Sequence, residues 1–172
     1  MADTIGQRVG RAEGPDKVTG RAVYPADVKL DGTLVGKCLR SPYPYAKIVA
    51  IDTSRASAMP GVHAVLTAAD IDNRRVGRML RDLPILAEGV VRFVGQKVAA
   101  VAADSIEVAE AALGEIDVTY EPLEPVLDVD AAIADDAPIL HPEFESYEGR
   151  VEHPRAHANL ISRGTWGRGD IE

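Results

Sequence analysis

The sequence predicts a mixed α/β domain, led by an extended arm and trailed by an irregular tail. Three observations carry this. Residues 34–122 hold a series of short strand-like runs, some alternating apolar and polar side chains with period two. One segment, residues 105–116, spaces its apolar side chains for a helix instead. On both sides of this region glycine, proline and charge displace the apolar pattern.

The elements follow in order. Residues 1–32 show few apolar periods, and Gly14-Pro15-Asp16-Lys17 and Thr19-Gly20 read as turns. This segment is expected to be an arm that lies on another surface. Leu34 to Arg40 reads as a strand. Ser41-Pro42-Tyr43-Pro44-Tyr45 cannot be a central strand or a helix interior, because each proline lacks an N–H and fixes φ. Ala46 to Asp52 alternates as a half-buried strand does. Thr53 to Met59 has room for about two helical turns, with Thr53 or Ser54 as N-cap and Pro60-Gly61 as the stop. Val62 to Leu66 is a further strand.

Residues 67–89 break the rhythm and read as a polar loop. Val90 to Val94, a turn at Gly95-Gln96, and Lys97 to Ala102 form the strongest β signal. The second run is apolar on both faces, as in a central strand. Asp104 or Ser105 caps the following helix, with Glu107 in its first turn. Ile106, Ala109, Leu113 and Ile116 make its apolar face, and Gly114 its end. Asp117 to Tyr120 is a short strand closed by Pro122 and Pro125, and Ala131 to Ala134 adds a helical turn. Apolar density then falls. A long structureless tail is unusual within a compact domain, so residues 136–172 read as a connection to something further. The expected division is an arm at 1–32, a domain at 33–135 and a linker at 136–172.

Composition narrows the function. The 172 residues carry 27 acidic and 19 basic side chains, a net charge of −8. That argues against a general nucleic-acid binder, which needs a net basic face. No apolar run approaches the roughly 18–20 residues of a membrane span, and the first residues lack the layout of a signal peptide. A single cysteine, Cys38, excludes an internal disulfide, a multi-cysteine zinc knuckle and an iron–sulfur cluster held within this chain. Cytoplasm is the default compartment; a twin-arginine signal borne by a partner is the route by which a periplasmic location stays open.

No complete active site is visible in the residues themselves. Cys38 sits in a strand with no cue for a base, and a buried structural thiol is the plainer reading. His153 and His157 have i,i+4 spacing, but Pro154 intervenes and no H-E-x-x-H glutamate accompanies them, so they read as exposed tail histidines. Asp135-Asp136 and Glu121/Glu124 are carboxylate pairs that read as solvated charge. Arg74, Arg75, Arg78 and Arg81 form a basic run that reads as a solvated loop rather than a phosphate or acidic-partner site. Gly164-Thr165-Trp166-Gly167-Arg168-Gly169 lacks the strand and helix context of a dinucleotide loop.

Several segments together resemble one family. Arg11-Ala12-Glu13-Gly14-Pro15-Asp16-Lys17-Val18-Thr19-Gly20-Arg21-Ala22-Val23-Tyr24 resembles the opening of the molybdenum-binding large subunit of the xanthine dehydrogenase/aldehyde oxidase family. Leu39-Arg40-Ser41-Pro42-Tyr43-Pro44-Tyr45-Ala46-Lys47-Ile48 is similar to its R-S-P-x-x-x-A-x-I segment, and Pro60-Gly61-Val62-His63-Ala64-Val65-Leu66-Thr67 to its P-G-V-x-x-V-x-T. Val91 to Val101 resembles V-R-[YF]-V-G-[EQ]-x-V-A-A-V, and Val118 to Leu123 resembles V-x-Y-E-x-L. Five such strings in family order are specific. Tyr43 and Tyr45 stand where histidines are frequent, and Glu13 where aspartate is, which blurs the subfamily.

The resemblance implies an α/β-hammerhead domain, a mixed sheet with two main helices. It implies a parent that hydroxylates an aldehyde or N-heterocycle carbon with water-derived oxygen, using a molybdopterin-type molybdenum cofactor. The cofactor loops and catalytic base would lie downstream, with Gly169-Asp170-Ile171-Glu172 as the join. No catalytic, cofactor-binding or metal-binding residue is therefore expected here, and this chain alone is expected to be inactive. The implied partners are the molybdopterin-binding domain of the same parent chain, an iron–sulfur subunit and a flavin subunit. Met1 falls just ahead of the first motif, which suits a parent of the split type. Arg40, Ser41, Tyr43 and Tyr45 are the interface candidates, because two prolines and two tyrosines make a stiff amphipathic edge. The competing readings are a stand-alone hammerhead interaction module without catalysis, and a small enzyme centred on Cys38 or the tail histidines.

Overall fold

The computed structural model describes residues 5–150, 157–162 and 164–170. The chain divides into two units, Met1–Thr33 and Leu34–Glu172. In the first, the turn expected at Gly14 closes into a one-turn helix, α1 (Gly14–Val18), with Pro15 in its first turn where a missing N–H costs nothing. A 3-10 turn at Pro25–Asp27 follows, in which the Asp27 carboxylate accepts the Tyr24 N–H. Among the described residues this unit buries no large side chain: Ile5, Val9, Val18, Val23, Tyr24, Val28 and Leu30 all stand out from it.

The second unit holds the remaining elements. They are β1 (Val35–Arg40), β2 (Ala46–Asp52), α2 (Ser54–Ser57), β3 (Val62–Leu66), β4 (Arg75–Val76), β5 (Leu83–Pro84), β6 (Val90–Val91), β7 (Lys97–Ala103), α3 (Ile106–Gly114), β8 (Asp117–Pro122) and α4 (Val129–Ala132). Three sheets result, ordered β1-β7-β3, β6-β2-β8 and β4-β5. The α/β class stands, with one refinement: every ladder among the described residues runs antiparallel rather than mixed.

β7 is central, as its two apolar faces predict. Ala99, Val101 and Ala103 point to one core, shared with Ala109, Ala112 and Ile116 of the α3 region and with Ala56 of α2. Val98 points to the other, shared with Ala46, Ala87 and Val91. Ile51 and Val118 pack against both cores and join the two sheets. The α3 contact is made largely by alanines, so helix and sheet approach closely without large side chains between them. A nine-residue helix is marginal in water alone. Its stability comes from this packing and from its cap, in which Ser105 Oγ accepts the Val108 N–H.

Several local expectations are corrected. Residues 90–94 and 97–102 do not form a hairpin: β6 shrinks to Val90–Val91 and pairs with β2 in a different sheet. The period-two pattern of β2 slips at a register shift between Ile48 and Ala50, which leaves Ala50 exposed and turns Ile51 inward. The α2 start is held by Asp52, whose Oδ1 accepts the Ser54 N–H at 2.9 Å, not by a Thr53 or Ser54 side chain. Ala112, not Ile106, completes the buried face of α3. Gly114 is its last helical residue and has no left-handed backbone. The 67–89 loop contains a 3-10 turn at Ala68–Asp70 and the β4-β5 ladder, where Pro84 fits because the sheet has only two strands. α4 begins two residues earlier than expected, capped by Asp128 Oδ1 on the Ala131 N–H.

Candidate functional site

The loop between β1 and β2 is built around an inward-facing serine. Ser41 is 2% exposed; its N–H donates to the Gln96 carbonyl, and its own carbonyl accepts the Gly95 N–H. The Ser41 hydroxyl and the Tyr43 backbone form a small ring, with Tyr43 N–H donating to Oγ at 3.0 Å. Pro42 and Pro44 then fix φ at two of the loop's positions. Tyr43 is held outward, 36% exposed, with its ring 5.1 Å from that of Tyr120. Burial pushes the Tyr120 hydroxyl up, the Ser41 hydrogen bond opposing in part. Tyr45 is half-buried, and its carbonyl accepts the Leu123 N–H. Arg40 is exposed at the end of β1, with Nη1 donating to the Gly95 carbonyl at 2.8 Å. Of the four residues singled out from sequence, Arg40 and Tyr43 thus present side chains, Tyr45 does so partly, and Ser41 shapes the loop from inside.

Arg40 also forms one wall of an apolar groove of about 380 Å³. The β4-β5 hairpin supplies Val76, Leu83 and Pro84, and Phe93 and Lys97 close the other side. Gln96 forms its floor at 3% exposure, with Oε1 accepting the Arg92 N–H at 2.7 Å.

Behind the hairpin lies a charged hub that sequence reading missed. Arg75 Nη2 and Arg92 Nη2 both donate to Glu143 Oε1 at 2.8 Å. Arg75 also lies 4.6 Å from the centre of the Tyr147 ring, and Arg92 Nε donates to the Leu140 carbonyl. Burial pushes the Glu143 carboxyl up, but its backbone hydrogen bond, Arg92, Tyr147 and Arg75 outweigh this and hold it below the ordinary carboxylate range. Burial drives the His141 imidazole down, Arg92 adding to the effect. His141 Nδ1 lies 2.9 Å from the Tyr147 hydroxyl.

This overturns two readings. Arg75 and Arg81 are not merely solvated: Arg75 is held by Glu143, and Arg81 pairs with Glu148 at 2.7 Å while its N–H donates to the Glu148 carbonyl. His141 is half-buried beside this hub. The tail is ordered at Phe144–Ser146, where Phe144 and Tyr147 are buried. Gly149 has a φ of +80° and lies so close to the Met79 carbonyl that a side chain would collide.

The other candidates remain dispersed. Cys38 is a half-buried free thiol opposite Ala100. His63 Nε2 meets Asp104 Oδ1 at 2.7 Å on the surface, and Glu121 pairs with Lys47. His153 lies outside the described residues; the His157 ring accepts the Asn159 N–H. Asp135 and Asp136 are exposed, as is the 164–170 segment, with Trp166 96% exposed. Among the described residues no group of three or more His, Cys, Asp or Glu could hold a metal ion. No helix there is long and apolar enough to cross a membrane.

Comparison with known proteins identifies the frame in which this geometry sits. Residues 19–124 match the family model described as "aldehyde oxidase and xanthine dehydrogenase, a/b hammerhead domain". The chain is 39% identical over 163 residues to a probable xanthine dehydrogenase subunit of Bacillus subtilis, covering 94% of this chain and 20% of that one. It is 42% identical over 135 residues to the nicotine 6-hydroxylase large subunit of Paenarthrobacter nicotinovorans, covering 73% and 16%. Among solved structures, a Cu,Mo-CO dehydrogenase superposes with a TM-score of 0.79 at 37% identity, over 89% of this chain and 20% of that one. The chain spans about a fifth of the length of these relatives.

Proposed function

Because the chain belongs to the aldehyde oxidase and xanthine dehydrogenase α/β-hammerhead family, we propose that it is the N-terminal structural part of a molybdenum hydroxylase large subunit. The parent would hydroxylate an aldehyde or N-heterocycle carbon with water-derived oxygen. One observation carries this reading: the B. subtilis protein matches 94% of this chain, yet the chain spans 20% of that protein. The hydroxylase and Mo-containing dehydrogenase among its relatives support the reaction class.

In this reading residues 1–32 are a docking arm, 33–135 the hammerhead domain and 136–172 the lead into a molybdopterin-binding domain. A molybdopterin-type cofactor bound there would supply the oxidative chemistry. The role of this chain is then positional, and the fragment alone is inactive. The seven exposed apolar side chains of the arm support docking on the rest of the parent chain. The Arg40–Tyr45 loop supports a second contact, since its tyrosine and arginine are held out by a rigid interior. The partners are that domain, an iron–sulfur subunit and a flavin subunit, in the cytoplasm.

The test is to isolate the native polypeptide with an antibody to this chain and measure its mass, metals and location. A polypeptide several times longer than 172 residues, with stoichiometric molybdenum, is expected. A polypeptide of this length without molybdenum would establish the stand-alone module instead. Changing Tyr43 and Tyr45 to alanine in the assembled complex tests the loop, and unchanged assembly and activity would sink that contact.

A further inference from the structure

We infer that the groove between the β4-β5 hairpin and the 93–97 turn seats an acidic segment of a companion polypeptide, an apolar side chain in the groove and carboxylates on its rim. The inference rests on the multi-subunit reading above, which is supported by relatives that are themselves subunits of larger enzymes.

Shape comes first. The groove of about 380 Å³ has an apolar lining in which Val76, Leu83 and Phe93 are each 41–46% exposed. Met79, at the tip of the same hairpin, is 82% exposed. The groove lining stands on a rigid support, since Arg75, Arg81 and Gly149 tie the hairpin to residues 143–149. Such linings mark contact sites rather than free surface.

Charge selects the occupant. The chain as a whole carries −8, yet this region gathers cations. Arg40 and Lys97 line the groove, and Arg74 and Arg78 sit on the hairpin beside it. Lys97, Arg74 and Arg78 have no ion-pair partner among the described residues, whereas Arg75, Arg81 and Arg92 are satisfied by Glu143 and Glu148. A rim of unpaired cations steers and orients an acidic partner and repels a basic one.

The floor makes the groove preformed. Gln96 is nearly buried; its side-chain oxygen accepts the Arg92 N–H, and its backbone carbonyl accepts the Ser41 N–H. Arg92 is fixed in turn by Glu143 and the Leu140 carbonyl. A partner therefore meets a wall already in place and spends little free energy on ordering it. An acidic, apolar-bearing segment satisfies the lining and the rim together.

Zero-length carbodiimide coupling of the purified assembly tests this directly, because it joins the Lys97 amine only to a carboxylate in contact with it. Peptide mapping is expected to find Lys97 linked to an aspartate or glutamate of a companion polypeptide. A second readout uses Arg74→Glu/Arg78→Glu, two changes on the hairpin checked for folding by circular dichroism. In sodium chloride titrations followed by light scattering, the variant assembly is expected to dissociate at lower salt, with about tenfold weaker association at low ionic strength. Lys97 linked only within its own polypeptide or to a second copy would overturn the inference. So would an absence of Lys97 links while other lysines couple, or unchanged dissociation in the folded variant. An assembly without molybdenum would end the hydroxylase reading but leave these outcomes readable.

Discussion

One carboxylate oxygen of Glu143 receives Arg92 Nη2 and Arg75 Nη2 together, each at 2.8 Å. The Arg92 side chain is 12% exposed, so that carboxylate is the counter-charge to a largely desolvated guanidinium. Removing one partner of a desolvated pair leaves the other uncompensated, which costs more than the pair contributes. Glu143→Ala is therefore expected to destabilise the fold by about 2–4 kcal/mol. Glu143→Gln keeps an acceptor but not the charge and is expected to lose roughly half of that. Urea denaturation read by circular dichroism distinguishes them, and equal stability of all three proteins would remove Glu143 from its place as hub.

The same hub sets an acid sensitivity. The Glu143 carboxyl is held low, so its stabilisation is present above its unfolded pKa and is lost as pH falls through the folded value. The His141 imidazole is also held low, so the unfolded chain binds a proton that the folded chain refuses. Stability therefore falls as pH drops below the unfolded histidine value of about 6.5. The two effects have the same sign and follow one another, histidine first. Thermal midpoints measured from about pH 7.5 to about pH 4 should decline. His141→Gln should flatten the upper part of the decline, and Glu143→Gln the lower part. A midpoint that rises on acidification would contradict both assignments.

Asn73 holds the bend at Leu86, between β5 and β6, with both ends of its amide. Nδ2 donates to the Leu86 carbonyl and Oδ1 accepts the Leu86 N–H, each at 3.0 Å. Leu86 is buried, so neither backbone group has water to replace a lost partner. Asn73→Ala is expected to cost about 1–3 kcal/mol. Asn73→Asp should be no better, because it sets a carboxylate against the Leu86 carbonyl. Hydrogen exchange at Leu86 is the local reading: its amide should lose protection in both variants while the Ala103 amide keeps it.

The contrast between these residues and the strands explains what sequence reading reached. β1, β2, β3, β7, β8 and α3 are legible because each advertises a local period, and the two apolar faces of Lys97–Ala103 announce a central strand. Most of the family strings lie on these same elements. Glu143, Arg92, Asn73 and Gln96 carry no such signal. Arg92 and Glu143 lie 51 residues apart, and a polar residue in a loop has the same local pattern whether it is solvated or buried in a pair. The failed hairpin at Gly95-Gln96 has the same origin. Two strand-like runs with a glycine between them look adjacent, but β2 offers β6 a better partner in another sheet. The Arg40–Tyr45 loop is visible as a stiff edge, while the inward turn of Ser41 depends on the distant Gly95 and Gln96 backbone.

The cap of α3 is the simplest local claim that can be checked in isolation. Ser105 Oγ accepts the Val108 N–H at 3.3 Å, a hydrogen bond at the long end of the range. Ser105→Ala should therefore cost about 0.5–1 kcal/mol, toward the low end for N-caps. Ser105→Asp should recover the loss, since a carboxylate also favours the helix N-terminus. The same denaturation assay reads all three, and an aspartate less stable than alanine would count against the cap.

The alanines under α3 make the final prediction, because they decide how the helix meets the sheet. Ala109 and Ala112 are wholly buried against Ala99, Val101 and Ala103 of β7, with Ala56 of α2 closing one side. Each of these five alanines has zero exposure, so no side of the contact has slack. A larger residue at Ala109 must lift the helix or push β7, and β7 also carries Val98 in the second core. Ala109→Leu is therefore expected to destabilise by about 1–3 kcal/mol, although leucine forms helices nearly as well as alanine and is more hydrophobic. Ala111, exposed on the opposite face, is the control: Ala111→Leu should change stability by less than about 0.5 kcal/mol. Strain passing through β7 should also raise hydrogen exchange at Val91, which lies in the far core. Destabilisation without any change at Val91 would show that the two cores yield independently.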